Sequence, residues 1–229
     1  MQSPSKSEID RLGDRLRIEV SPQDLRTLDA YRSSFAASYL EVLKTVRQLA
    51  GVAVSGRPAK STTAIVDKLN RESIRLTQMQ DIAGCRVVVA SIAEQNALVE
   101  AITSHFAQSR VFDRRQFASH GYRAVDVVVC LSGQMVEVQV RTQLQHLWGE
   151  ISEKLADKFG VALKYGGGKA DIRESLDLFS EYVDLLEVLE VGSASDAIKS
   201  DIVEKGKVTV RNALLELLTT SGADDDFPN

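Results

Sequence analysis

Cysteine is nearly absent from this chain of 229 residues. Its two thiols, Cys85 and Cys130, make no disulfide framework, and both fall in apolar strand patterns that read as buried and reduced. No run of eighteen apolar residues occurs, and the start lacks the charged, apolar and small-residue succession of an export signal. Neither membrane insertion nor export is expected, and a cytoplasmic location is. Histidine is scarce too, and His105 and His120 have no partners at zinc-ligand spacing, which excludes a structural zinc. There is no basic excess: 28 Lys and Arg against 32 Asp and Glu leave a net charge of −4. That excludes a broad nucleic-acid surface but allows a local phosphate site. With 44% apolar residues the chain can bury one sizeable core with helical additions.

The hairpin over 121–142 is the most informative stretch. Its second strand alternates without error, Glu137, Gln139 and Arg141 on one face and Val136, Val138 and Val140 on the other. The preceding strand ends in the turn signal Ser132-Gly133. A two-residue turn sets Gln139 opposite Asp126 and Arg141 opposite Ala124, with Tyr122 farther along the same side. That face then collects Tyr122, Asp126, Glu137, Gln139 and Arg141. A wet outer face of a half-buried strand has the same pattern, and a slip of one residue scatters the set.

A second stretch supplies cations. Six basic and three acidic residues lie between Arg57 and Arg86. Lys68 and Arg71 are three apart on one side of a predicted helix, and Lys60 stands at its entrance beside the cap candidates Ser61, Thr62 and Thr63. Such a helix start with nearby cations favours phosphate oxygens, although a solvated helix face has this spacing as well. An apolar strand follows, with Asp81 at its mouth and Arg86 inside. One acid at a strand mouth, a second on another strand and cations nearby are the minimum for divalent-metal phosphoryl chemistry.

Elsewhere the periodicity predicts helices over 4–17 and 22–49, the latter with a core stripe of Tyr31, Phe35, Tyr39, Val42 and Val46. Strands are expected over 81–90, 108–113, 122–131 and 135–141, and helices over 92–106 and 143–159, with Trp148 in the core and His146 one turn before Glu150. Gly166-Gly167-Gly168 marks a boundary before two acidic amphipathic helices over 171–189 and 195–218. Their apolar side either covers the core or builds a subunit interface.

Four segments in order, GRPAKSTTAIVDKLNR, MQDIAGCRVVV, GYRAVDVVV and VEVQVRTQLQHLW, resemble the synthetase domain of the RelA/SpoT homologues in its small single-domain form. The resemblance covers about residues 51–165. It implies an α/β, nucleotidyltransferase-like mixed β-sheet flanked by helices; outside it the chain itself reads as an N-terminal helical extension over 1–50, C-terminal helices over 169–220 and a disordered tail over 221–229. It implies a pyrophosphokinase of the stringent response, a transferase moving the β,γ-pyrophosphate of ATP to the 3′-hydroxyl of GDP or GTP and making (p)ppGpp and AMP. A toxin branch modifies tRNA 3′ ends by the same chemistry, and a catalytically degenerate nucleotide-sensing or interaction module is the third reading.

Carried over by position, the resemblance gives Asp81 and Glu137 the Mg²⁺ ion and Glu137 the role of general base. Arg57 and Arg86 resemble the pair that sandwiches adenine, and Lys60, Lys68 and Arg71 the groups that hold the ATP phosphates. Tyr122 matches the ring that stacks on the acceptor base, and Asp126, Gln139, Arg141 and His146 fall where the acceptor nucleotide is held. The helical extensions are candidates for a homo-oligomer interface. Three positions depart from the family pattern: Asp126 stands where histidine is usual, Arg57 and Lys60 are one residue farther apart than is common, and Ala64 replaces a serine.

Overall fold

The computed structural model describes residues 4–116, 118–192, 201, 203–209 and 211–212. The expected helix over 195–218 therefore lies only partly within the described residues, and the expected tail over 221–229 lies outside them. The chain forms two compact units, one of residues 1–87, 100–112 and 126–139, the other of residues 88–99, 113–125 and 140–229.

The fold is α/β, a mixed five-stranded sheet flanked by helices. The strands are β1 (Val54–Arg57), β2 (Ala83–Val89), β3 (Ser109–Asp113), β4 (Val125–Leu131) and β5 (Gln134–Thr142), in the order β1-β2-β5-β4-β3. Apart from a few strand-end residues the sheet belongs to the first unit. The hairpin of β4 and β5 turns on two residues, as its sequence predicts. Ser132 and Gly133 take φ of 50° and 79°, the left-handed pair that a two-residue turn needs to match strand twist. Val136, Val138 and Val140 are wholly buried. On the opposite face Asp126 and Arg141 are only 5% and 3% exposed, while Tyr122, Glu137 and Gln139 keep part of their surface open.

In the first unit α1 (Lys6–Leu16) starts from a capping box formed by Ser5 and Glu8. The predicted helix over 22–49 is two helices, α2 (Pro22–Ser33) and α3 (Ala36–Ala50). No glycine or proline marks the break. Ser34 makes it, its hydroxyl donating to the Tyr31 carbonyl at 2.6 Å and so competing with the helical ladder. The expected stripe is core: Phe35, Tyr39, Val42 and Val46 are buried and Tyr31 is half-buried, its ring edge-on to Phe35 at 5.2 Å. Next come α4 (Thr62–Arg71) and β2 after a 3₁₀ turn at Leu76–Gln78, whereas α5 (Ile92–His105) belongs to the second unit up to residue 99 and to the first from residue 100.

Three further expectations are corrected. The strand predicted from 122 begins at Val125, because His120 and Gly121, with φ of 53° and 80°, turn the backbone out of extension and leave Tyr122 in a single bridge with Ser119. The strand predicted from 81 begins at Ala83, so Asp81 stands in the turn before it. Cys130 is half-buried, while Cys85 is buried as expected. The edge strand β1 was not predicted.

In the second unit α6 (Gln143–Phe159) has the predicted bounds. Trp148 is buried there and donates its indole N–H to the Leu176 carbonyl at 2.8 Å. Gly166, at φ 77°, closes a 3₁₀ turn over Val161–Tyr165 ahead of α7 (Ala170–Gly192). No helix among the described residues is long and apolar enough to cross a membrane.

Candidate active site

Asp81 is the centre of the site in the first unit. The 3₁₀ turn before it is pinned by Leu76, Met79 and Ile82, all fully buried. The Lys60 backbone N–H donates to the Ile82 carbonyl at 2.7 Å, which fixes the loop entering α4 against this turn. Ser61 is the cap of α4, accepting from the Ala64 N–H at 3.2 Å. That cap sets the helical phase so that Lys68, two turns on, faces back toward Asp81. Lys60 Nζ lies 2.5 Å from Asp81 Oδ2 and Lys68 Nζ 3.0 Å from Oδ1. Arg57 Nη2 donates to the Asp81 carbonyl at 2.9 Å and lies 3.7 Å from Oδ2. The carboxylate is thus clamped by three cations. Burial alone would raise it, but Lys60 and Lys68 more than reverse this and carry Asp81 down to about 2. Burial also lowers Lys60, with Asp81 pulling the other way. Arg71 pairs with Glu72 at 3.1 Å.

The sheet face beside this clamp carries the remaining groups. β1 and β2 are antiparallel with Arg57 opposite Gly84 and Ser55 opposite Arg86. Arg57 and Arg86 are therefore diagonal neighbours on one face, with backbones roughly 7–8 Å apart, a gap that admits one flat ring between two guanidinium planes. Gly84 has no side chain for a reason: a Cβ there would stand 2.7 Å from the Glu137 carbonyl and 3.4 Å from its Cβ. One residue pair farther, Arg86 Nε donates to Gln139 Oε1 at 3.2 Å, and Gln139 Nε2 donates to Glu137 Oε2 at 3.1 Å. Contacts of 84 with 137 and 86 with 139 advance together, as for parallel neighbours. Glu137 keeps part of its surface open, yet the protein packed around it raises its pKa first, and Asp126 and Asp81 raise it further, to about 7.

Gly84 was not singled out from the sequence, although a glycine inside a strand signals close backbone approach. Gly84→Ala is expected to cost about 1–3 kcal/mol of stability, as overpacking does, and to push Glu137 off the sheet face. Denaturant titration checks the first effect.

Tyr122, Arg141 and His146 belong to the second unit. Arg141 lies over the Tyr122 ring, 4.9 Å from its centroid, and its Nη2 donates to the Tyr122 hydroxyl at 3.1 Å. Gly149 leaves the room this guanidinium needs, since a Cβ there would meet Arg141 Nη1 at 2.6 Å. His146 Nδ1 is 4.0 Å from Glu150 Oε1. Both residues line a cleft of about 610 Å³, with Glu187 also in its wall. The sequence reading missed Glu187, which accepts hydrogen bonds from Thr142 and Gln145 and whose pKa burial raises. Its signal was an acid on the same side of α7 as the buried Val183 and Leu186.

Oxygen donors suit Mg²⁺, which takes one or two carboxylates and leaves its other positions to water and substrate phosphates. Asp81 and Glu137 fit that requirement, Asp81 being near enough to push the Glu137 pKa up. Among the described residues no group of three or more His, Cys, Asp and Glu could hold a metal alone.

A lysine-clamped acid, a second acid whose pKa is raised and two arginines on one sheet face thus meet in the first unit of an α/β fold. Residues 56–160 match the model described as the region found in RelA / SpoT proteins. An uncharacterized protein of Mycobacterium tuberculosis is 32% identical over 169 residues, covering 70% of this chain and 62% of its own. The chain thus spans less than two thirds of that relative. The GTP pyrophosphokinase YjbM of Bacillus subtilis is 32% identical over 120 residues, 46% of this chain and 56% of its own. Among solved structures, small alarmone synthetase 1 of Bacillus subtilis, bound to its product pppGpp, aligns with a TM-score of 0.59 at 23% identity, over 78% of this chain and 100% of that one. A GTP pyrophosphokinase family protein of Streptococcus pneumoniae aligns at 0.54 with 22% identity, over 80% and 98%. These two likenesses show the fold.

Proposed function

We propose that the protein transfers the β,γ-pyrophosphate of ATP to the 3′-hydroxyl of GDP or GTP, releasing AMP. The observation that carries this reading is the convergence of Arg57, Lys60 and Lys68 on Asp81 beside the Glu137 carboxylate. The acceptor 3′-oxygen attacks the β-phosphorus, its proton passes to Glu137, and the bond from the β-phosphorus to the oxygen bridging it to the α-phosphorus breaks, so AMP leaves with that oxygen. A base that titrates near 7 is matched to this task at neutral pH. Lys60 and Lys68 exchange the Asp81 oxygens for those of the triphosphate, with Arg71 at the end of the same helix. Arg57 and Arg86 take the adenine between them. Mg²⁺, held by Asp81 and Glu137, would neutralise charge on the phosphoryl oxygens. Most of the acceleration is positioning and charge neutralisation, since this chemistry needs little covalent help.

The acceptor roles implied for Tyr122, Asp126, Gln139, Arg141 and His146 are part of the same proposal. The product pppGpp bound to small alarmone synthetase 1 of Bacillus subtilis supports a guanine nucleotide as acceptor. Incubation of purified protein with β,γ-labelled ATP and Mg²⁺, and separately GDP, GTP or deacylated tRNA, tests the reading. Label is expected on GDP or GTP. Label on tRNA alone assigns the toxin-type reaction, and ATP binding without transfer to any acceptor overturns the enzyme reading.

A further inference from the structure

We propose that Gln139 is a positioning residue that couples the Arg86 guanidinium to the Glu137 carboxylate, so that seating the donor nucleotide aims the base. The inference rests on the proposed pyrophosphate transfer and goes beyond it, because neither that reaction nor the family likeness requires a link between the two groups. The link is a two-bond relay, Arg86 Nε to Gln139 Oε1 at 3.2 Å and Gln139 Nε2 to Glu137 Oε2 at 3.1 Å.

Chemistry fixes the polarity of this relay. Guanidinium only donates, so the amide must present its carbonyl oxygen to Arg86. Its NH₂ is then left for the carboxylate, which as the ionised base only accepts. The amide cannot be flipped without breaking both bonds. Its backbone is held, because Gln139 stands on β5 between Val138 and Val140, each wholly buried. Arg86 is held in turn by β2, whose register with β1 sets it diagonal to Arg57. A ring stacked between the arginines therefore fixes the Nε that orients the amide. The amide holds one carboxylate oxygen, leaving the other to face the acceptor hydroxyl. Carboxylate misplacement of about 1 Å is enough to lose on the order of 10²-fold in rate.

The test is a four-protein cycle of wild type, Arg86→Lys, Gln139→Met and the double variant, with kcat at saturating GDP, KM for ATP and for GDP and the ATP dissociation constant measured for each, so that a lost acceptor contact shows in KM for GDP and a cut relay in kcat. Met keeps the length of Gln and removes both hydrogen bonds. Gln139→Met is expected to lower kcat by about 10- to 100-fold with ATP affinity unchanged, a split that a merely structural defect does not produce. Arg86→Lys is expected to weaken ATP binding and lower kcat together. In the double variant kcat should fall no further than in Gln139→Met, since the relay is already cut. Gln139→Glu serves as the second variant: it keeps the Arg86 contact but sets a carboxylate against Glu137, and is expected to be slower still. Multiplying kcat losses in the double variant, or a Gln139→Met enzyme with wild-type kcat, would overturn the relay and leave the transfer reading standing. A wild type that transfers nothing overturns both.

Discussion

Glu137→Gln is expected to reduce pyrophosphate transfer by about 10²- to 10⁴-fold, the range that a positioned general base supplies. The fold of this variant should be more stable than that of the parent at alkaline pH. The pKa of Glu137 is raised to about 7 in the folded protein, so between the ordinary value of 4.5 and 7 the folded state holds the extra proton. The stability linked to that proton is fully present below about 4.5 and is lost as pH rises through 7. A shift of this size is on the order of 3 kcal/mol. Glutamine removes that penalty, and the thermal midpoint at pH 8 should rise, as differential scanning calorimetry will register. In the parent enzyme kcat/KM should climb with pH and level off above about 7, and in Glu137→Gln that limb should vanish. Loss of activity with loss of the folded state would contradict this account, because it would make Glu137 a structural residue.

Asp81→Asn is the second large effect, and the same chemical change should act on stability with the opposite sign. Asp81 has its pKa lowered from 3.8 to about 2 because Lys60 and Lys68 outweigh its burial. Its contribution is fully present above about pH 4 and is lost as pH falls through 2, and it amounts to about 2 kcal/mol. Asparagine leaves both ammonium groups facing a neutral amide, so at neutral pH the thermal midpoint should drop by about 4–8 °C for a chain of this size. Turnover should fall by about 10³-fold, since the variant loses a ligand worth several kcal/mol to phosphoryl charge. A thermal midpoint unchanged at neutral pH would show that the lysine clamp contributes nothing to the folded state.

The parts of this fold that were legible in the sequence are those with a period. Alternation along Val136 to Arg141 marked β5 and its buried face, and helical spacing marked α6 to the residue. β1 was not legible: it is four residues long, holds Gly56 and precedes Pro58, so neither length nor propensity announces it. The junction between α2 and α3 was hidden because Ser34 acts through a side-chain hydrogen bond, which composition does not show. Of the site, the residue types were legible and their pairing was not. Lys60 and Lys68 were expected to hold phosphate and Asp81 a metal, yet all three meet one another. Three separate elements create that meeting, the loop ahead of α4, α4 itself and the turn ahead of β2, and no local pattern encodes their approach. Gln139 was placed on the right face, but its bonds to Arg86 and Glu137 depend on the register of β2 with β5.

The most direct test is the fate of each atom of ATP. With ATP labelled in the β-phosphorus and GDP in excess, the account predicts AMP and labelled guanosine product in equal amounts, with the label on the 3′ position and none as free phosphate. Release of ADP and inorganic phosphate, with the guanine nucleotide unlabelled, would contradict it.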